Sequence, residues 1–199
     1  MIDLRSDKKT RNVVLFLRLV SIVFFVPLFA GVPLTFRYNS GFDPALLWSL
    51  GAESVPWIVT FLLLGLGAFV VAVLHQLLHA ATLYLLGASD VVFHLDGLTP
   101  RRPAADAYFR RGPIVVYAIA PFILGSLVGF LLLLVVPDRG VAWVFLPTVI
   151  NAALAASDFV AVAWVFGVPR DALTAVLGDG YVAYAPGPPP QNKNKKRKR

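Results

Sequence analysis

Four stretches of this chain are each long and apolar enough to cross a bilayer, and that limits the fold more than any other feature. A spanning helix needs about 20 mostly apolar residues. Residues 13–36, 57–87, 114–136 and 141–166 meet that length. The third carries no charge, and the first holds only Arg18, close enough to its end for the guanidinium to snorkel to the headgroups. A signal peptide is the rival reading of the first stretch, but its apolar run is longer than a typical h-region. The expected fold is therefore an all-α membrane protein with four transmembrane helices. They form one membrane-embedded domain over residues 13–186, between an N-terminal segment, 1–12, and a tail, 187–199. Composition agrees: the chain is 58% hydrophobic and only 15% charged, against about half and about a quarter on average. The absence of cysteine excludes disulfides, thiolate metal sites and a cysteine nucleophile.

The charges set an expected orientation. Arg5, Lys8, Lys9 and Arg11 precede the first helix, and Arg101, Arg102, Arg110 and Arg111 lie between the second and third. Arg170 and six basic residues from Lys193 to Arg199 follow the fourth, whereas the other two connections hold one arginine each, Arg37 and Arg139. Positive residues stay inside, so both termini and the middle loop are expected in the cytoplasm. The net charge of +7 is then mostly a topology signal. The tail "PGPPPQNKNKKRKR" is stiff, then polybasic, and is expected to be disordered and drawn to anionic lipid. No aromatic residue is interleaved with it, so nucleic acid is not an expected partner. In the loops, "DVVFHL" reads as a short β segment between helices 2 and 3, and "ALLWSL" as a piece lying on the membrane. "DALTAVL" reads as one or two helical turns, and "GDG" as a turn into "YVAYA".

Within "VAVLHQLLHAATLYLL", His75 and His79 sit at i and i+4 on one helix face, a spacing at which two imidazoles can reach one Zn²⁺. A packing pair or haem ligation fits that spacing too. Helix 4 adds Asn151 and Asp158, two turns apart, in "NAALAASDF". Asp158 is the only acidic residue within the four spans, and a buried intramembrane carboxylate is a functional signal. His79 and Asp158 each lie about eight residues short of the cytoplasmic side, about 12 Å at 1.5 Å per residue. Two histidines and a carboxylate at one depth make a three-ligand set with a fourth position open, the pattern of catalytic zinc. A His–Asp hydrogen-bonded cluster joining helices 2 and 4 is the alternative.

These residues resemble a family of small integral membrane proteins described as zincin peptidases, distantly similar to site-2 intramembrane metalloproteases. The resemblance runs over most of residues 70–185, through "LHQLLHAATLYLLG", "VVFHLDG", "PAADAYFRRGPIVVYAIAPFILGSL", "NAALAASDF" and "VPRDALTAVLGDGYVAY". It implies Zn²⁺ held by His75, His79 and Asp158, with Asn151 near the substrate or an oxyanion. It also implies an edge strand at Val92, Phe93 and His94, able to pair with an extended peptide. The family pattern has glutamate at position 76, as general base, where this chain has Gln76. Glutamine can hydrogen-bond a water but cannot take its proton.

Three explanations of Gln76 stay open: a non-proteolytic relative, another base among Asp90, His94 and Asp96, or a substitution that traps an inactive enzyme. The leading expectation is a zinc-binding, site-2-protease-like protein of the metallopeptidase class with weakened or absent proteolysis. Its partner would be a membrane-embedded or membrane-adjacent peptide or protein. The alternative is a non-enzymatic membrane module that binds transmembrane helices or extended peptides. A small haem or metal carrier ranks third.

Overall fold

The computed structural model describes residues 2–3, 8–37, 41–50, 56–93, 95–97, 99–178 and 180–184. The polybasic tail lies outside the described residues. Helices α1 (Lys8–Phe36), α2 (Trp57–Leu85) and α3 (Arg111–Val135) are continuous. The fourth apolar stretch is divided at Ala155 into α4 (Val141–Leu154) and α5 (Ala156–Gly167), after a 3₁₀ turn at Asp138–Gly140. All four stretches are long and apolar enough to cross a membrane. α2 ends where Gly87, at φ 92°, takes the left-handed conformation that stops a helix.

The helices are apolar outward as well as inward. α2 buries only His75, His79 and, a turn further on, the adjacent Thr82 and Leu83, while Phe61, Leu62 and Leu66 are exposed. A helix that turns leucine outward and histidine inward suits a hydrocarbon surround, where lipid satisfies the apolar face and protein must satisfy the polar one. Close approach of α3 and α4 depends on Gly125 and Gly129. A Cβ at either position would run into the side chains of Asn151 and Thr148, respectively. Such small-residue spacing is a common device of packed membrane helices.

The sheet is larger than the sequence suggested, and the all-α expectation is corrected to a mostly helical fold with a small sheet. Strands β1 (Ile2–Asp3), β2 (Val91–Val92), β5 (Ala104–Phe109), β6 (Leu173–Leu177) and β7 (Gly180–Tyr184) form an antiparallel sheet of order β1-β7-β6-β5-β2. A small hairpin, β3 (Leu95–Asp96) with β4 (Thr99–Pro100), stands beside it in the chain. Only the segment between helices 2 and 3 was expected to be β. "DALTAVL" supplies β6 rather than helical turns because β5, some 65 residues earlier, and β7 flank it on both sides. Its Thr174, Ala175 and Val176 are buried. Gly178, at φ 58°, starts the turn expected at "GDG", whose Asp179 lies outside the described residues.

Through this sheet the segment before α1, the α2–α3 connection and the segment after α5 meet at one end of the bundle. At the other end Arg37 pairs with Asp138 at 2.8 Å. There "ALLWSL" contributes a 3₁₀ turn, Pro44–Leu47, capped by Asp43, which accepts from the Ala45 N–H at 2.9 Å. Leu47 is buried, and Trp48 meets Phe145 edge-on, so this piece packs onto the bundle through both residues.

Candidate metal centre

Two helices bring three ligand-type side chains together. His75 and His79, one turn apart on α2, project to the buried side, and the break at Ala155 starts α5 afresh so that Asp158 falls in its first turn. His75 Nε2 lies 3.0 Å from Asp158 Oδ2, and His79 Nε2 lies 3.3 Å from Oδ1. One ligand atom from each residue lies within 4.8 Å of the others, and all three residues are buried.

The outer nitrogen of each ring is held by a different device. Asn151 Nδ2 donates to the Pro121 carbonyl at 3.3 Å, which turns its Oδ1 toward His75 Nδ1 at 2.9 Å. His79 Nδ1 meets the Tyr117 carbonyl at 3.0 Å. That carbonyl is available for a local reason: Pro121 has no N–H to return to the residue four positions back, which is Tyr117. The "APF" of α3 thus supplies a backbone acceptor inside the membrane. A carbonyl and an amide oxygen can only accept, so both Nδ1 atoms donate. The Nε2 of each neutral ring is therefore a lone pair aimed at the carboxylate. Fixing the tautomer through the far ring nitrogen is the usual support of metal-binding histidines.

Such an arrangement fits a cation. Two nitrogen lone pairs facing carboxylate oxygens repel one another unless a proton or a metal ion lies among them. His79 Nε2 is buried and, among the described residues, has no partner with hydrogen-bond geometry. Two imidazoles and one carboxylate are a donor set for Zn²⁺. A second feature, not foreseen from the sequence, stands behind the carboxylate. Arg102, buried after β4, donates to Asp158 Oδ1 and to Tyr181 Oη, and at 3.1 Å to Ser157 Oγ. Burial works against its charge, but Tyr181 and Asp158 beside it hold its pKa above the ordinary value. Burial likewise pushes the Tyr181 hydroxyl up to about 12, so it is a neutral partner at physiological pH.

A family model described as "Putative zincin peptidase" matches residues 68–173, from the middle of α2 to the first residue of β6. The chain belongs to that family. The matched segment contains His75, His79, Asn151 and Asp158, together with Arg102, Tyr117 and Pro121, so the three candidate ligands and most of their supports fall within the family's own region, with Tyr181 beyond it. No curated protein and no solved structure matches the chain.

Two cavities flank the cluster. An apolar one of about 370 Å³ between α2, α3 and α4 reaches His75 and Asn151. A more polar one of about 570 Å³ is lined by Gln76, Arg102 and Ser157, with residues of α1. Gln76 is half-buried on the polar side, and its Oε1 has no hydrogen-bond partner among the described residues.

The remaining expected residues are dispersed. Val92 is exposed in β2, an outer strand of the sheet, and Phe93 follows it half-buried. His94 and the side chain of Asp96 lie outside the described residues. Asp90 is exposed and accepts from Ser89 Oγ at 3.0 Å. Arg102 and Tyr181 are not visible as site residues in the sequence, because one reads as a topology charge and the other as a residue after the "GDG" turn. The prolines on both sides of "RR" were the available signal of an ordered turn.

Proposed function

We propose that this protein is a multi-pass membrane protein of the metallopeptidase class, similar in its chemistry to site-2 proteases, that holds Zn²⁺ with His75, His79 and Asp158. Its proteolysis is weakened or absent because Gln76 takes the place of the catalytic glutamate. The observation that carries the reading is the pair of committed Nδ1 atoms, which leave two Nε2 lone pairs and a carboxylate converging in a buried site.

Zn²⁺, when bound in such a site, acidifies a water and polarises a carbonyl. Asn151 and the Tyr117 carbonyl orient the two imidazoles, while Arg102 holds the Asp158 carboxylate and offsets its charge. Gln76, on the polar cavity, can donate to or accept from a water or a peptide carbonyl but cannot take up a proton. Losing general acid–base help costs about 10²- to 10⁴-fold in rate.

The substrate is an extended segment of a membrane-embedded or membrane-adjacent protein, which pairs with the segment Val92, Phe93 and His94, of which Val92 belongs to β2. The positive-inside rule puts the sheet end, with Arg101, Arg102, Arg110, Arg111 and Arg170, in the cytoplasm together with both termini. The polybasic tail adds contact with anionic lipid there.

A second reading is favoured by Gln76 itself. A buried amide oxygen with no partner among the described residues suits a non-enzymatic module that captures transmembrane helices or extended peptides in the same place. Gln76→Glu separates the two. With a single-span membrane peptide shown to bind both forms, the reading as a weakened enzyme predicts at least tenfold faster cleavage by the glutamate form, counted by mass spectrometry of products. Binding without any gain in cleavage contradicts it and leaves the capture module.

A further inference from the structure

α1 and α2 both pack on α4 and hardly touch each other. The gap between them is the polar cavity of about 570 Å³, with Arg11 and Arg18 on the α1 side, Gln76 on the α2 side, and Arg102 and Ser157 beneath. Three guanidiniums line it and no carboxylate does. Arg102 is already matched by Asp158. Arg11 and Arg18 are not: no acidic side chain among the described residues pairs with either. They are seven residues apart, two turns along one face of α1, which spaces them by about 10 Å along the axis.

Unmatched arginines at the edge of the hydrocarbon attract an anion, and guanidinium suits phosphate oxygens in particular. The rest of the lining points to the source of that phosphate. Besides Asn12 and Thr99, the lining adds apolar surface from Val14, Leu15, Ala72, Pro100 and Leu154, which a free ion would leave uncovered and an acyl chain would cover. We infer that the α1–α2 cleft binds an anionic phospholipid, with the headgroup phosphate between Arg11 and Arg18 and an acyl chain along Leu15 and Leu154. The site is separate from the proposed zinc ligands and does not depend on a metal.

The test uses the purified, delipidated full chain in detergent, titrated with phosphatidylglycerol, phosphatidylcholine or inorganic phosphate and read by native mass spectrometry. Phosphatidylglycerol is expected to bind at least tenfold more tightly than phosphatidylcholine, and inorganic phosphate is expected not to displace it. Arg11→Gln with Arg18→Gln should lose at least tenfold of that preference. Both side chains are exposed, so circular dichroism and thermal unfolding in detergent should stay at the wild-type values. Lys8→Gln with Arg170→Gln removes the same charge from the same end outside the cleft and should keep the preference. Equal binding of the two lipids would overturn the proposal, as would equal losses in the two double variants. Displacement by inorganic phosphate would overturn it as well, reassigning the cleft to the free ion.

Discussion

The bundle has two buried cores of opposite character, one at each end. Away from the sheet, Phe29, Leu47, Leu133, Phe145 and Ala152 form an apolar cluster, joined by half-buried Phe25 and Phe122 in ring contact. Beside the sheet, Leu83, Phe109, Ile114, Tyr117 and Tyr181 enclose a second cluster. This second core surrounds a connected polar group running from Asn151 through His75 and Asp158 to Arg102 and Tyr181. The first core is held by shape, and changes there act on stability. The second is held by hydrogen-bond matching, where one missing partner strands a buried charge or dipole. If the polar core exists for a metal, the two ends will answer mutation in different quantities.

The sharpest contrast pairs Asp158→Ala with Phe145→Ala. Removing Asp158 deletes one of the three proposed ligands, and zinc affinity should fall by more than about 100-fold, beyond the 10- to 100-fold typical of outer-shell partners. Phe145 is fully buried, and its truncation should cost about 3–5 kcal/mol of stability while zinc stoichiometry in the folded fraction is unchanged. Calorimetric titration with Zn²⁺ and thermal unfolding in detergent read the two quantities. Equal zinc losses in both variants would erase the distinction between the cores.

Pro121→Ala sharpens the comparison within the polar core. Alanine restores an N–H that competes with His79 for the Tyr117 carbonyl, so zinc affinity should fall by about 10- to 100-fold. The helix itself should not weaken, since proline is the poorest interior residue and alanine the best. Unchanged affinity with a stabilised helix would show that His79 does not need that carbonyl. Tyr181→Phe should act least. It removes one of several Arg102 contacts while Asp158 and Ser157 remain, and zinc affinity should change by less than about tenfold.

The legible part of this molecule was its membrane chemistry. Polar residues are rare at membrane depth, so His75, His79, Asn151 and Asp158 stood out. Counting residues from the charged ends then placed the histidines and the aspartate at one level, where the structure brings them together. Lipid-facing helices also declare themselves by length, and all four did. What was hidden lies in the connections. Whether "LTAVL" forms a strand depends on β5, far back in the chain, and not on its own residues. Arg102 and Arg101 look alike in sequence, yet Arg101 is exposed and Arg102 buried on Asp158. The role of Pro121 was hidden for a different reason: a missing N–H matters only when another side chain stands opposite the carbonyl it leaves open.

The most direct measurement of the central claim is the metal content of the purified chain by elemental analysis, wild type beside His79→Ala and Asp158→Ala. About one zinc per wild-type chain, and none in either variant at unchanged helical circular dichroism, is the predicted result. Absence of zinc from the wild type after growth and dialysis with Zn²⁺, or equal zinc in all three proteins, would contradict it.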